Sequence, residues 1–401
     1  MQKKLIVLAV SGALGVPLAA FAQSNVSIYG RANLGLDQYS AKGSTSGTGN
    51  YENRTRIFDS GSRLGFRGRE NLGGGMEAYF QLETGVNWDS GGNFGQSGTN
   101  NAASSGFPAS RDSFLGLKAG WGEISFGRQS IFWANGLNAQ TGANYINASA
   151  DGLLTGVQLV GAPVTRQSNV VAYTSPRMGG FDLLVSYSPS AQEGATFTGT
   201  GQAKNSVLGV NVKYRMGALY VQGDHATNKN KANAVPATGA STDTGQKIGV
   251  SYGYAPGSRA GFIYQRLENQ RIGATITGGN GVIATAGDTL KVSVWGVNLE
   301  HSIGQLGLYG GYFRTGDVTG GTNAGGAAAG GTKSTAYHIG LKQHLSKRTG
   351  MYVSYNGIKN EPNAFADITG GGYTSAGNPG MPAISSGADV KVWAVGLHHN
   401  F

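Results

Sequence analysis

The amino-acid sequence predicts an all-β fold: a 16-stranded antiparallel transmembrane β-barrel with short turns on one rim and long loops on the other. Three observations carry that expectation. Apolar residues recur at every second position along many stretches, the connections between stretches alternate between tight and long, and the chain opens on an export-type leader.

In the leader, Lys3 and Lys4 precede an apolar run from Leu5 to Ala20 that closes on Ala20-Phe21-Ala22. A charged start, an apolar middle and a small-x-small ending make residues 1–22 a cleavable signal peptide, so the mature chain, 23–401, is expected to begin at Gln23. Ser11, Gly12, Gly15 and Pro17 interrupt the run and argue against a helix that stays in the bilayer. The formal charge is +10, from 31 Lys and Arg against 21 Asp and Glu, and loss of the two leader lysines leaves +8. The basic residues are dispersed, which argues against a nucleic-acid tail. There is no cysteine, so an exported chain of this length must draw its stability from a large sheet or from the membrane. With 69 Gly, 18 Tyr, 15 Phe and only 13% charged residues, the composition suits neither disorder nor collagen.

The first strand sets Val26, Ile28, Gly30, Ala32, Leu34 and Leu36 on one side and Ser27, Tyr29, Arg31, Asn33 and Asp37 on the other. The same alternation recurs at Leu64 to Glu70, Ala78 to Val86, Leu208 to Met216, Ile248 to Tyr254, Tyr337 to Leu345 and Met351 to Tyr355, several near the roughly 9–11 residues of a tilted membrane strand. Compact turns punctuate them at 71–75, 119–122, 176–180, 215–217, 256–258, 303–305 and 346–350. Long polar loops intervene near 40–55, 87–110, 133–168, 190–203, 226–245, 268–288, 316–333 and 359–388. Seven turns and eight loops separate sixteen strands, an even number that lets the first and last strands meet and close a cylinder. Two places fit less well: apolar parity slips between Val292 and Leu299, suggesting a bulge near Trp295, and the strand at Ser113 to Lys118 alternates weakly. The last strand places Trp393, Val395, Leu397, His399 and Phe401 on one face. Tyr39, Trp88, Tyr252, Tyr254, Trp295, Tyr312, Trp393 and Phe401 fall near strand ends, where amphipathic rings settle at a lipid-water boundary. A soluble β-helix would need a fixed short repeat that is absent.

Ser27-Ile-Tyr-Gly-Arg31, Ser62-Arg-Leu-Gly-Phe-Arg-Gly-Arg-Glu-Asn-Leu72, Phe126-Gly-Arg-Gln129 and the terminal His399-Asn-Phe401 resemble the general porins of Gram-negative outer membranes, in particular their betaproteobacterial branch. The resemblance covers the whole mature chain. It implies a homotrimer in the outer membrane, a third loop folded into the lumen as the constriction, and a final aromatic, Phe401, with Trp393 among the alternating apolar positions before it, that the outer-membrane assembly machinery reads. Outer-membrane lipid and lipopolysaccharide are then the expected surroundings.

A lumen selects ions by the sign of fixed charge at its narrowest point. The longest connection, 133–168, is the candidate constriction loop; it holds Asp151 as its one acid and Arg166 near its end. Alternation sends Arg31, Arg63, Arg67 and Arg69 inward, opposite Ile28, Ala32, Leu64 and Phe66. The resemblance adds a basic ladder at Arg31, Arg63, Arg128 and Arg166; simple alternation instead puts Arg128 on the lipid side with Ile124 and Phe126, unless a bulge turns it. Glu77, Glu83, Asp112 and Lys118 line the neighbouring wall and soften the basic field. The six histidines lack metal-ligand spacing and read as solvated or girdle residues, no compact nucleophile-base cluster marks an enzyme, and no cofactor is expected. The expected function is a passive diffusion channel for small hydrophilic solutes with a preference for anions. The alternatives are a solute-specific channel and a surface barrel that acts as an adhesin or structural protein.

Overall fold

The computed structural model describes residues 25–45, 47, 49–86, 88–89, 109–131, 156–157, 160–161, 166–189, 206–231, 240–270, 276–277, 282–284, 288–323, 330–367 and 384–401. The leader and Asp151 lie outside the described residues. The principal sheet contains seventeen strand segments, all paired antiparallel to their neighbours. Two of them, Tyr51–Asp59 and Arg63–Gly73, pair successively with the same side of one partner and form a single stave with a notch at 60–62. The barrel therefore has sixteen staves: β1 Asn25–Lys42, the notched β2, β3 Met76–Gly85, β4 Ser113–Ala119, β5 Gly122–Ser130, β6 Arg166–Thr174, β7 Phe181–Ser188 and β8 Ser206–Met216. They continue as β9 Leu219–Lys231, β10 Ala240–Ala255, β11 Ser258–Gln270, β12 Thr289–Ile303, β13 Leu306–Thr315, β14 Ser334–His344, β15 Thr349–Asn360 and β16 Asp389–Asn400. β16 pairs with β1 from Arg31 opposite Asn400 to Lys42 opposite Asp389, which closes the cylinder. Beyond that ladder, Phe401 and Gly30 exchange two backbone hydrogen bonds, 3.0 and 3.1 Å, and seal the seam at the short-turn rim.

The seven short turns share one rim. Gly217 (φ 55°) and Gly304 (φ 59°) occupy left-handed backbone there with open space around them, so their requirement is conformational rather than steric. Inside the barrel glycine does a different job. The Tyr29 ring lies over Gly65 and the Tyr352 ring over Gly396, where a Cβ would collide with them, so lumen tyrosines lie flat on the wall.

The alternation is clean on β14, where Ser334, Ala336, His338, Gly340 and Lys342 point inward while Thr335, Tyr337, Ile339, Leu341 and Gln343 point outward. The outward positions of β10–β16 carry no Asp, Glu, Lys or Arg between the short-turn rim and an aromatic girdle. In that girdle Tyr264 stands opposite Trp295, Tyr312 opposite Tyr337, and Tyr355 opposite Trp393. Neighbouring rings touch, with centroids 5.6 Å apart for Trp295–Tyr312 and 4.4 Å for Tyr355–Trp393.

Several expectations need correction. The ladder between β11 and β12 runs unbroken from Glu300 to Thr289, so there is no bulge near Trp295. The parity slip has another origin: Leu290, Val292 and Val294 are apolar on the inner face. They join Tyr39, Leu267, Phe313, Ile358, Val390 and Val392 in a buried cluster with Val318 from the β13–β14 connection and Ala366, Ile384 and Ala388 from the β15–β16 connection. The outer third of the β11–β16 side is thus filled with protein. Tyr39 belongs to this interior, 1% exposed and donating to Asp367 at 3.0 Å, and is not a girdle residue. Strands also outrun the predicted loop edges: β9 continues to Lys231 and β10 starts at Ala240, within the segment 226–245 expected as loop. Beyond the bilayer both faces of a strand meet water, so alternation fades while the backbone ladder persists.

Candidate functional site: a basic wall inside the barrel

The inner surface of β1–β6 gathers the arginines that the sequence singled out. Arg31 and Arg63 stand directly opposite one another on β1 and β2, a like-charge pairing that is unfavourable unless each cation finds its own partner. The notch in β2 supplies one. Where the ladder breaks at 60–62, the Ser60 carbonyl is released and accepts from Arg31 Nη2 at 2.5 Å, with Gly61 in left-handed backbone (φ 67°) beside the guanidinium. The Asn33 amide donates to Ser62 Oγ at 2.9 Å, and the Ser62 amide to Asp59 at 2.9 Å, which hold the notch in shape. Arg31 is consequently buried and acts through its field.

Glu83 on β3 is the hub of the next tier. It accepts from Tyr29 Oη at 3.1 Å and from Arg111 Nε at 2.6 Å, and lies 3.8 Å from Arg63 Nε. Arg67, one tier nearer the short-turn rim, stacks over the Tyr29 ring at 5.1 Å and donates to Ser27 Oγ at 3.3 Å. Asp112 is the second hub, accepting from Arg166 Nε at 2.6 Å and from Ser130 Oγ at 2.8 Å. Arg128 sits where the β5–β6 register shifts between Gly127 and Gln129, with Asn169 opposite in left-handed backbone (φ 57°). That bulge sets its guanidinium against the Ser110 carbonyl (3.0 Å) and Ser168 Oγ (2.9 Å), next to Asp112 and Arg166 rather than lipid.

Arg56 and Arg111 belong to the wall and were missed, because both sit at the edges of segments that read as loop. Arg56 donates to Asp37 at 3.2 Å. Counting Arg31, Arg56, Arg63, Arg67, Arg111, Arg128 and Arg166 against Asp37, Asp59, Glu83 and Asp112, the wall carries a formal excess of three positive charges among the described residues. Glu77 and Lys118 also face inward, as expected, each in an ion pair: Arg69–Glu77 at 3.6 Å and Lys118–Glu123 at 2.8 Å.

The opposite wall is also charged, and Asp182 there is shared by Arg177 and Arg215. Lys247 pairs with Asp224 at 2.9 Å and Arg215 with Asp182 at 2.5 Å. His338 and His398 point inward and are buried, so neither is a solvated or girdle residue. A two-strand hairpin, Gly156–Val157 with Val160–Gly161, belongs to the long β5–β6 connection, and its Val160–Gly161 backbone lies against β11 and β12.

A closed sixteen-stave barrel with polar residues inside and an uncharged apolar belt outside is the architecture of an outer-membrane pore. A family model described as Gram-negative porin matches residues 6–363. The chain belongs to the Gram-negative porin family. The porin is 26% identical to outer membrane porin protein 32 of Delftia acidovorans over 414 aligned positions that span all of both chains. It is 33% identical to major outer membrane protein P.IB of Neisseria gonorrhoeae over 199 residues, about half of either chain. Among solved structures, the anion-selective porin from Comamonas acidovorans superposes with a TM-score of 0.70 at 20% identity, covering 94% of this porin and 100% of that chain. The porin resides in the outer membrane and is a passive channel for small hydrophilic solutes.

Proposed function

We propose that this porin prefers anions, and that Arg31, Arg63, Arg67, Arg128 and Arg166, with Arg56 and Arg111, form the surface that gives the preference. The observation that carries this reading is the uneven match of charge on the β1–β6 wall. Glu83 is shared between Arg63 and Arg111, and Arg128 stands beside the Asp112–Arg166 pair, so the arginines are not neutralised one for one. The apolar cluster on the β11–β16 side fills the outer third there and displaces the water path towards that wall. Guanidinium groups stay charged at any working pH and offer forked donors to a carboxylate or phosphate in transit. The Comamonas acidovorans porin to which the fold is similar is anion-selective, which agrees in kind.

The remaining roles belong to the same proposal. Segment 133–168 crosses the lumen as the constriction, a reading supported by the backbone contact of Val160–Gly161 with β11 and β12 on the far wall. Asp151 lies on that segment and softens the field. The chain works as a homotrimer, residues 1–22 are its leader, Phe401 and Trp393 carry the assembly signal, and the barrel catalyses nothing. The reversal potential of the purified porin in a planar bilayer under a KCl gradient tests the ion preference. A potential of the sign set by chloride is expected, and one set by potassium overturns the proposal.

A further inference from the structure

We propose that the lumen wall of β7–β9, at the short-turn rim, is a binding site for a phosphate dianion, formed by Arg177, Lys213 and Arg215. Asp182 is the centre of the group. It stands on β7 directly opposite Lys213 on β8, and Lys213 in turn stands opposite Gln222 on β9. Two arginines meet the same oxygen of that carboxylate, Arg215 from Nη1 at 2.5 Å and Arg177, on the β6–β7 turn, from Nε at 3.6 Å. Arg215 also lies over the Tyr220 ring at 4.9 Å, so its guanidinium plane is held by the acid and the ring together. Tyr220 is fixed in turn by its hydrogen bond to Gln222 Oε1.

Lys213 is the cation that both neighbouring acids leave over. Asp182 is engaged by the two arginines, and Asp224 accepts from Lys247 at 2.9 Å, from Gln222 Nε2 at 2.9 Å and from the Asn211 amide. Lys213 is only partly buried and forms no hydrogen bond or ion pair among the described residues. A lysine free to choose would swing away from like charge, but the strand holds it two residues from Arg215, roughly 7 Å along the same face. Three cations around one carboxylate leave a formal excess of two positive charges. A phosphate dianion cancels that excess, and its tetrahedral oxygens can meet guanidinium forks and an ammonium at once. A single carboxylate brings one charge and two coplanar oxygens, and leaves one cation unmatched. Lys213 lies four residues from Gly217 at the short-turn rim, so a solute crossing an outer-membrane barrel meets this group at the periplasmic mouth.

The site goes beyond the ion preference, which rests on the β1–β6 wall, so the two can fail separately. The test is phosphorus NMR of the detergent-purified porin titrated at pH 8 with inorganic phosphate, a dianion there, and in parallel with dimethyl phosphate, a tetrahedral monoanion. K213Q and R177Q/R215Q remove the proposed donors, K213R keeps the charge, and R63Q/R111Q/R166Q strips the β1–β6 wall instead. Conductance steps in a planar bilayer show that each variant still forms a barrel. Inorganic phosphate is expected to bind the wild type at least tenfold more tightly than dimethyl phosphate. Its dissociation constant should rise fivefold or more in K213Q and in R177Q/R215Q, and stay within twofold in K213R and R63Q/R111Q/R166Q. No binding by the wild type, equal affinity for the two probes, or wild-type affinity in K213Q overturns the proposal. So does a loss confined to R63Q/R111Q/R166Q, which would put the phosphate on the other wall.

Discussion

Replacing Arg63, Arg111 and Arg166 by glutamine tests the basic wall where it is both charged and open to solvent. Their side chains are 32%, 24% and 23% exposed, whereas Arg31 is sealed behind Ser60. One charge about 6 Å from a permeating ion contributes about 0.7 kcal/mol in a water-like dielectric. Screening at 0.1 M salt, with a Debye length of about 10 Å, cuts this to about 0.4 kcal/mol. Three such charges sum to about 1.2 kcal/mol, favourable for an anion and unfavourable for a cation, so the anion-to-cation permeability ratio should fall by roughly fiftyfold. At 1 M salt the Debye length is about 3 Å and the same change should shrink to about two- or threefold. Freed Glu83 and Asp112 push in the same direction. Reversal potentials of R63Q/R111Q/R166Q at both salt concentrations, with conductance steps to show that the barrel is intact, measure the effect. An unchanged ratio at 0.1 M, or a change that does not shrink with salt, would refute the reasoning.

Phe313 is fully buried inside the wall and its ring covers Gly296, so F313A should cost the inner apolar cluster about 3–5 kcal/mol. Since the cluster pins the β13–β14 and β15–β16 connections, the expected result is faster hydrogen exchange in 316–323 and 361–367 with the barrel ladder still protected. The β13–β14 connection is also held by Asp317, which accepts from the Thr332 amide at 3.1 Å and pairs with Lys333 at 3.0 Å. Partial burial raises the Asp317 carboxyl, but the hydrogen bonds from Lys333 and Thr332 outweigh it and hold the group below its ordinary value. A depressed carboxyl stabilises above that ordinary value and loses its contribution as pH falls through the lowered one. Exchange at the Thr332 amide, corrected for intrinsic rate, should therefore be steady near neutral pH and rise below about pH 4. D317N should show the raised rate throughout.

Much of the architecture was legible because a membrane imposes a simple rule: one face of each stave meets lipid. Val395 and Leu397 against Ala394 and His398 obey it, and so do Ile339 and Leu341 against His338 and Lys342. The rule fails where protein fills the lumen. Leu290, Val292 and Val294 are apolar on the inner face because loops from the outer rim pack on them, which no two-residue period can reveal. Arg31, Arg63 and Arg67 were found by parity. Arg128 was not, because its orientation depends on one extra residue in a ladder. Arg56 and Arg111 were hidden by their neighbours' loop-like composition, and only the ion pairs with Asp37 and Glu83 reveal them.

The chain has no cysteine, so single cysteines report without interference. Ser27 and Ile28 are adjacent on β1 and face opposite sides of the wall, Ser27 beside Arg67 and Ile28 in the outer belt. The decisive measurement is the labelling rate of S27C and I28C, in the membrane-embedded porin, by an anionic and a cationic thiol reagent of equal size. A water-filled lumen with a basic wall requires that S27C react, faster with the anionic reagent, while I28C stays protected by lipid. An inert S27C, a reactive I28C, or a faster cationic reaction at S27C would contradict it.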